Sequence, residues 1–132
     1  MADHPNVELL RKGYAAFAAG DMATVENIFA DDIVWHAPGN NPISGDFKGK
    51  EQVFGLFAKL MELTGGTFRQ EIHDIVANDE HAVVLAENGA QRPDGRSWQG
   101  RAAHVWHVAN GKCTEYWLFA DDQAAADAFF SG

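Results

Sequence analysis

His104-Val-Trp-His-Val-Ala-Asn-Gly-Lys-Cys-Thr-Glu-Tyr-Trp-Leu-Phe119 reads as two β-strands joined by Asn110-Gly111. That dipeptide tolerates the two positive φ angles of a type I′ hairpin turn. A two-residue turn sets Ala109 opposite Lys112, and counting back sets Trp106 opposite Glu115 and His104 opposite Trp117. Strand side chains alternate between faces. His104, Trp106, Val108, Cys113, Glu115, Trp117 and Phe119 are therefore expected on one side. Large rings would share that side with a titratable base and a carboxylate. An ordinary core excludes unpaired polar groups because burying them is costly. A small-molecule pocket uses this mixture.

Outward from the hairpin, the pattern changes period. Val7, Leu10, Tyr14, Phe17 and Ala18 form an amphipathic helical stripe over residues 5–19. Gly20 ends it, and Asp21 can cap a second, short helix whose apolar face is Val25, Ile28 and Phe29. A strand is expected at Ile33-Val-Trp-His36, followed by a loop through Pro38–Pro42 and Ser44-Gly-Asp46. A third helix spans roughly 49–63 and stops at Gly65-Gly66. Thr67–Ala77 and His81–Ala90 are strands around an Asn78-Asp79 turn, and Ser97–Val108 and Lys112–Ala120 complete the series. Asp121 or Asp122 can cap a last helix reaching Phe130. This order predicts an α+β fold. A curved antiparallel or mixed sheet is wrapped by three N-terminal helices into a cone with a deep pocket, and a short C-terminal helix follows.

The chain has 132 residues, a net charge of −9 and 46% apolar residues, which predicts one globular domain over 1–132. The acidic balance argues against nucleic acid, whose phosphates call for clustered Lys and Arg. No apolar run is long enough for a membrane span, and the start lacks the features of a signal peptide. With a single cysteine, Cys113, an internal disulfide is excluded and a cytoplasmic location is expected. The six histidines show no metal-ligand spacing, so neither metal nor other cofactor is expected.

Several motifs together resemble a known family. They are Tyr14-Ala-Ala-Phe-Ala-Ala-Gly-Asp21, Phe29-Ala-Asp-Asp32, Val34-Trp-His-Ala-Pro-Gly39, Ser44-Gly-Asp-Phe-Lys-Gly49 and Trp117-Leu-Phe-Ala-Asp-Asp122. The chain resembles the SnoaL-like group of the nuclear transport factor two-like, or ketosteroid-isomerase-like, superfamily over nearly its whole length. The resemblance implies a curled sheet wrapped by helices around a conical pocket, and a homodimer. It does not imply one activity, because the superfamily contains isomerases, cyclases, hydrolases, dehydratases and non-catalytic binders. The isomerase's general-base Asp falls on Ala37, its protonated Asp on His104, and its partner Tyr near Gly13, one residue from Tyr14. The Arg-x-Asp of the epoxide hydrolases is missing from this sequence. For the cyclases an inward carboxylate is implied, with Glu115 and Asp74 the candidates.

The candidate catalytic residues are then His104, as acid, base or oxyanion donor, and Glu115, as its polar partner. Tyr14, Trp35, His36, Asp74, Trp106, Trp117 and Phe119 are candidates to line the pocket. Three readings follow: cofactor-free acid/base chemistry on a compact apolar or partly polar ligand, binding or carriage of such a ligand without chemistry, or a dimeric interaction module.

Overall fold

The computed structural model describes residues 3–131. In chain order the elements are α1 (Pro5–Ala19), α2 (Met22–Ile28), β1 (Phe29–Ala37), β2 (Gly45–Lys48), α3 (Gly49–Leu63), β3 (Arg69–Ala77), β4 (His81–Gln91), β5 (Ser97–Ala109), β6 (Lys112–Ala120) and α4 (Gln123–Phe130). Helix boundaries follow the expected chemistry. Gly20 closes α1 in the left-handed conformation at φ 76°, the Asp21 carboxylate accepts from Thr24 N–H at the start of α2, and Asp122 caps α4 through Ala125 N–H.

The strands form one six-stranded sheet in the order β2-β1-β6-β5-β4-β3. Only β1 against β6 is parallel; the other neighbours are antiparallel. The fold is α+β, with two departures from the sequence reading. β1 begins at Phe29 because the chain is already extended at this residue, directly after α2, and pairs there with Cys113. Gly45–Lys48, read as loop, is a short edge strand paired with Val34–Ala37. Its Gly-Asp start resembles a turn, and pairing with β1 overrides that local preference.

Helices α1 and α3 pack toward the sheet, α1 against β3 and β4, α3 against β1 and β2. The main core joins Leu10, Val25, Ile28, Phe29, Ile33, Val53, Phe57, Val84, Trp106 and Tyr116. A second cluster at one end sets Phe129 and Phe130 of α4 against Ala90, with Trp98, Leu60 and Phe68 around it. No helix among the described residues is long and apolar enough to cross a membrane.

Pairing is interrupted in β1, in β3 and in the β5–β6 hairpin. The hairpin turn has the expected form, with φ of 53° at Asn110 and 74° at Gly111, and Ala109 faces Lys112. Val108 then faces Cys113, but His107 faces Glu115, so Thr114 is an extra residue. Its hydroxyl donates to the His107 carbonyl at 3.3 Å. A bulge of one residue sends every following side chain to the opposite face. Beyond it, Trp106 faces Tyr116, Val105 faces Trp117 and His104 faces Leu118. The inner face is thus His104, Trp106, Val108, Cys113, Tyr116 and Leu118, and Glu115, Trp117 and Phe119 point outward.

Candidate functional site

Between the helices and the inner face of the sheet lies a cavity of about 150 Å³. An apolar cavity of roughly that size takes up a benzene ring. Aromatic side chains build much of its wall: Phe17 and Phe57 from the helices, and Phe29, Trp35, Trp106 and Tyr116 from the strands. Trp35 lies against Tyr116, with centroids 3.6 Å apart and planes 21° apart, and Trp106 crosses Trp35 edge-on at 5.5 Å. None of the lining side chains is an Asp, Glu, Lys or Arg.

Polar groups enter at two places. At the first, the Tyr14 hydroxyl of α1 lies 2.5 Å from Nδ1 of His104, and Trp106 Nε1–H donates to the Tyr14 oxygen at 3.2 Å. With Trp106 donating to Tyr14 and Tyr14 donating to Nδ1, the imidazole hydrogen is assigned to Nε2. Nε2 makes no hydrogen bond to any described residue, and the ring lines the cavity. His104 is 1% exposed. Burial lowers its pKa to about 4, so the ring is neutral at pH 7. Burial likewise pushes the Tyr14 and Tyr116 hydroxyls upward, so both stay protonated. The cluster offers neutral hydrogen bonds and no charge.

At the second place, Gln70 of β3 faces Asn88 of the adjacent strand, and both line the cavity. The loop between β1 and β2 covers this region from outside. Asn41 Nδ2–H and Gln123 Nε2–H both donate to Asp127 Oδ1, which ties the loop to α4, and Ile43 and Phe130 line the cavity beneath.

Of the residues singled out in the sequence, Tyr14, Trp35, His104 and Trp106 line this cavity. Gly13, near which the resemblance sets the isomerase Tyr, does too, and it is the neighbouring Tyr14 whose hydroxyl meets His104. Ala37 lines the cavity where the isomerase base is implied, and contributes only a methyl. Five candidates lie elsewhere. The Thr114 bulge places Glu115, Trp117 and Phe119 on the outer face, with Phe119 59% exposed. His36 pairs with Trp117 and shares that face. Its Nδ1 is 2.8 Å from Asp46 Oδ1 and its Nε2 is 2.7 Å from Glu115 Oε2, and Trp117 stacks on the ring. Hydrogen bonding to Glu115, then to Asp46, raises the His36 pKa. Glu115 is thus the partner of His36 rather than His104. Asp74 faces Leu85 on the outer side, because the register shifts between Ile72 and Asp74. Its carboxylate accepts from Ile75 N–H beside an open groove between α1, α3 and β3.

The sequence reading missed Tyr116, Gln70 and Asn88. Tyr116 was hidden by the bulge. Asn88 had a signal, since Ala82, Val84, Ala86, Asn88 and Ala90 recur at strand spacing on a buried face that is otherwise apolar. Cys113 is buried with its thiol pushed up to about 12, which suits packing rather than nucleophilic attack. Among the described residues no cluster of His, Cys, Asp or Glu is placed to hold a metal ion.

The model of the SnoaL-like domain matches residues 10–116, which include Tyr14, Trp35, His104, Trp106 and Tyr116 of the cavity wall. The chain belongs to the SnoaL-like family. This SnoaL-like chain is 33% identical to Bal32a, from a soil-derived mobile gene cassette, with a TM-score of 0.90 over 95% of each chain. An uncharacterised protein of Mycobacterium tuberculosis is 28% identical over 131 residues, covering 99% of this chain and all of its own. TerC, co-crystallised with polyporic acid, shares the fold at 21% identity and a TM-score of 0.84, over 97% of this chain and all of TerC.

Proposed function

We propose that this SnoaL-like protein binds a compact, uncharged organic molecule about the size of one ring, holding a ligand oxygen at His104 and Tyr14. The observation that carries this reading is the buried, neutral Tyr14–His104 pair in a cavity whose lining has no charged side chain. Rings on the wall supply area for a flat or cyclic body. Nε2–H of His104 supplies a donor to a ligand carbonyl or ether oxygen. TerC, which shares this fold, was co-crystallised with a small organic molecule, polyporic acid.

The same geometry weighs against acid/base turnover. A general base works best with a pKa near the operating pH. His104, held at about 4 by burial, is a weak base; the position of the isomerase base is Ala37, and the two carboxylates expected to face inward in a cyclase, Glu115 and Asp74, lie on the outer face. The pair fits a polariser of a carbonyl better than a proton abstractor.

Cyclohexanone is a direct probe. Ligand-observed NMR should show it bound to the wild type, and binding should weaken several-fold in Tyr14→Phe or His104→Leu, from the loss of a roughly 1 kcal/mol hydrogen bond. Cyclohexanecarboxylate should not compete, because nothing in the cavity offsets a buried charge. Absence of cyclohexanone binding, or equal binding of the carboxylate, would refute the reading.

The outer sheet face supports a second proposal, a homodimer. It exposes Phe119 and Leu85 beside Trp117, a larger apolar display than solvent contact favours. Light scattering should give the mass of two chains, falling to one in Phe119→Glu with Leu85→Glu. A wild-type monomer would refute it.

A further inference from the structure

The second polar place in the cavity is unfinished. Asn88 is 6% exposed, lines the cavity, and its Oδ1 has no hydrogen-bond partner among the described residues. It is the one side-chain nitrogen or oxygen wholly shielded from solvent that is so left among the described residues. An unpaired buried acceptor loses its hydrogen bonds to water and gains none in return. Gln70, directly opposite on β3, makes no bond to it. Two carboxamides therefore face one end of an apolar cavity without satisfying each other.

Their position relative to His104 sets a geometry. Val84 faces His104, and Asn88 lies four residues further along β4 on the same inner face. At about 3.3 Å per residue, Asn88 and His104 are roughly 13 Å apart along the strands, before either side chain reaches inward. A ring carrying one polar atom at each end fits between them.

We infer that Asn88 is a specificity-determining contact for a ligand hydroxyl, and that the ligand class is a hydroxylated cyclic carbonyl compound. The carbonyl accepts from His104 at one end. The hydroxyl donates to Asn88 Oδ1 at the other. This rests on the binding reading above and adds a second functional group to the ligand. The inference needs no charge, metal or chemical step, only the pairing of an acceptor that the fold leaves open.

The test compares 4-hydroxycyclohexanone with cyclohexanone on wild-type protein and on Asn88→Leu, a near-isosteric change. Wild type should prefer the hydroxyketone by about tenfold, the value of pairing a buried acceptor. In Asn88→Leu the preference should vanish or reverse while cyclohexanone binding persists, which shows that the cavity is intact. Asn88→Ala, checked by thermal melting, gives the same comparison if the Leu variant fails to fold. Equal binding of both ketones to the wild type, or a preference that survives in the variants, overturns the inference and leaves the binding reading standing. If neither ketone binds, the binding reading fails and this inference fails with it.

Discussion

Protonation of His104 should govern the stability of this protein below neutrality. The folded protein binds that proton less readily than the unfolded chain, since burial lowers the pKa from 6.5 to about 4. The stability contributed by the neutral ring is therefore fully present above about pH 6.5 and is lost as pH falls toward 4. Fully expressed, the shift is worth about 3 kcal/mol, and about 2 kcal/mol of it falls between roughly pH 8 and pH 5. At 1% exposure solvent screening takes little from this value. His104→Gln retains a hydrogen-bonding side chain but does not titrate. Urea unfolding, followed by tryptophan fluorescence at several pH values, should show a wild-type slope steeper than that of the variant by about 2 kcal/mol over that interval. Subtracting the variant removes groups common to both, including the outer His36. The raised pKa of His36 acts with the opposite sign, adding stability below about pH 6.5 that is lost as pH rises through its folded value. Coincident wild-type and His104→Gln curves would refute the assignment of His104 as a buried neutral histidine.

Other perturbations test separate links. Deleting Thr114 should leave a native circular-dichroism spectrum, because Cys113 and Glu115 would then follow each other in an unbroken ladder that keeps Glu115 outward and Tyr116 inward; an unfolded spectrum would show that the facing is not set by this pairing. Glu115→Gln should lower the His36 pKa toward its ordinary value in an NMR titration, since the Glu115 hydrogen bond is the largest cause of its rise. Gly13→Ala should raise stability by about 0.5–1 kcal/mol through the helix, because the one atom the new methyl approaches, Ile28 Cδ1 at 2.4 Å, ends a flexible side chain beside the cavity; a lower melting temperature would mean that Ile28 cannot yield. Cys113 should resist a thiol reagent in the native state and react readily in urea.

The fold was legible because its signals are local. Gly20, Asp21 and Asn110-Gly111 carry their backbone chemistry in their own side chains or lack of one, and all act as read. The helical stripe of Val7, Leu10 and Tyr14 likewise reports one face directly. Half of the site followed, since His104 and Trp106 precede the bulge and their facing does not depend on it. The other half depended on register. Thr114 resembles any strand residue, and its extra place in the ladder is decided by hydrogen bonding across to His107. One residue of offset exchanged Glu115 and Trp117 for Tyr116 and Leu118. The chemistry changed accordingly, from a histidine–carboxylate pair to a neutral cluster of a histidine and tyrosines. Asp74 was displaced by the same kind of event in β3.

The proposed function turns on a neutral His104 ring receiving the ligand inside the cavity. Nitrogen-detected imidazole NMR at neutral pH, recorded during addition of cyclohexanone, tests it most directly. His104 should appear as a neutral ring with its hydrogen on Nε2, its signals should move saturably with ligand, and those of His36 on the outer face should stay in place. A His104 charged at neutral pH, or His104 signals that stay fixed while the ketone binds, would contradict it.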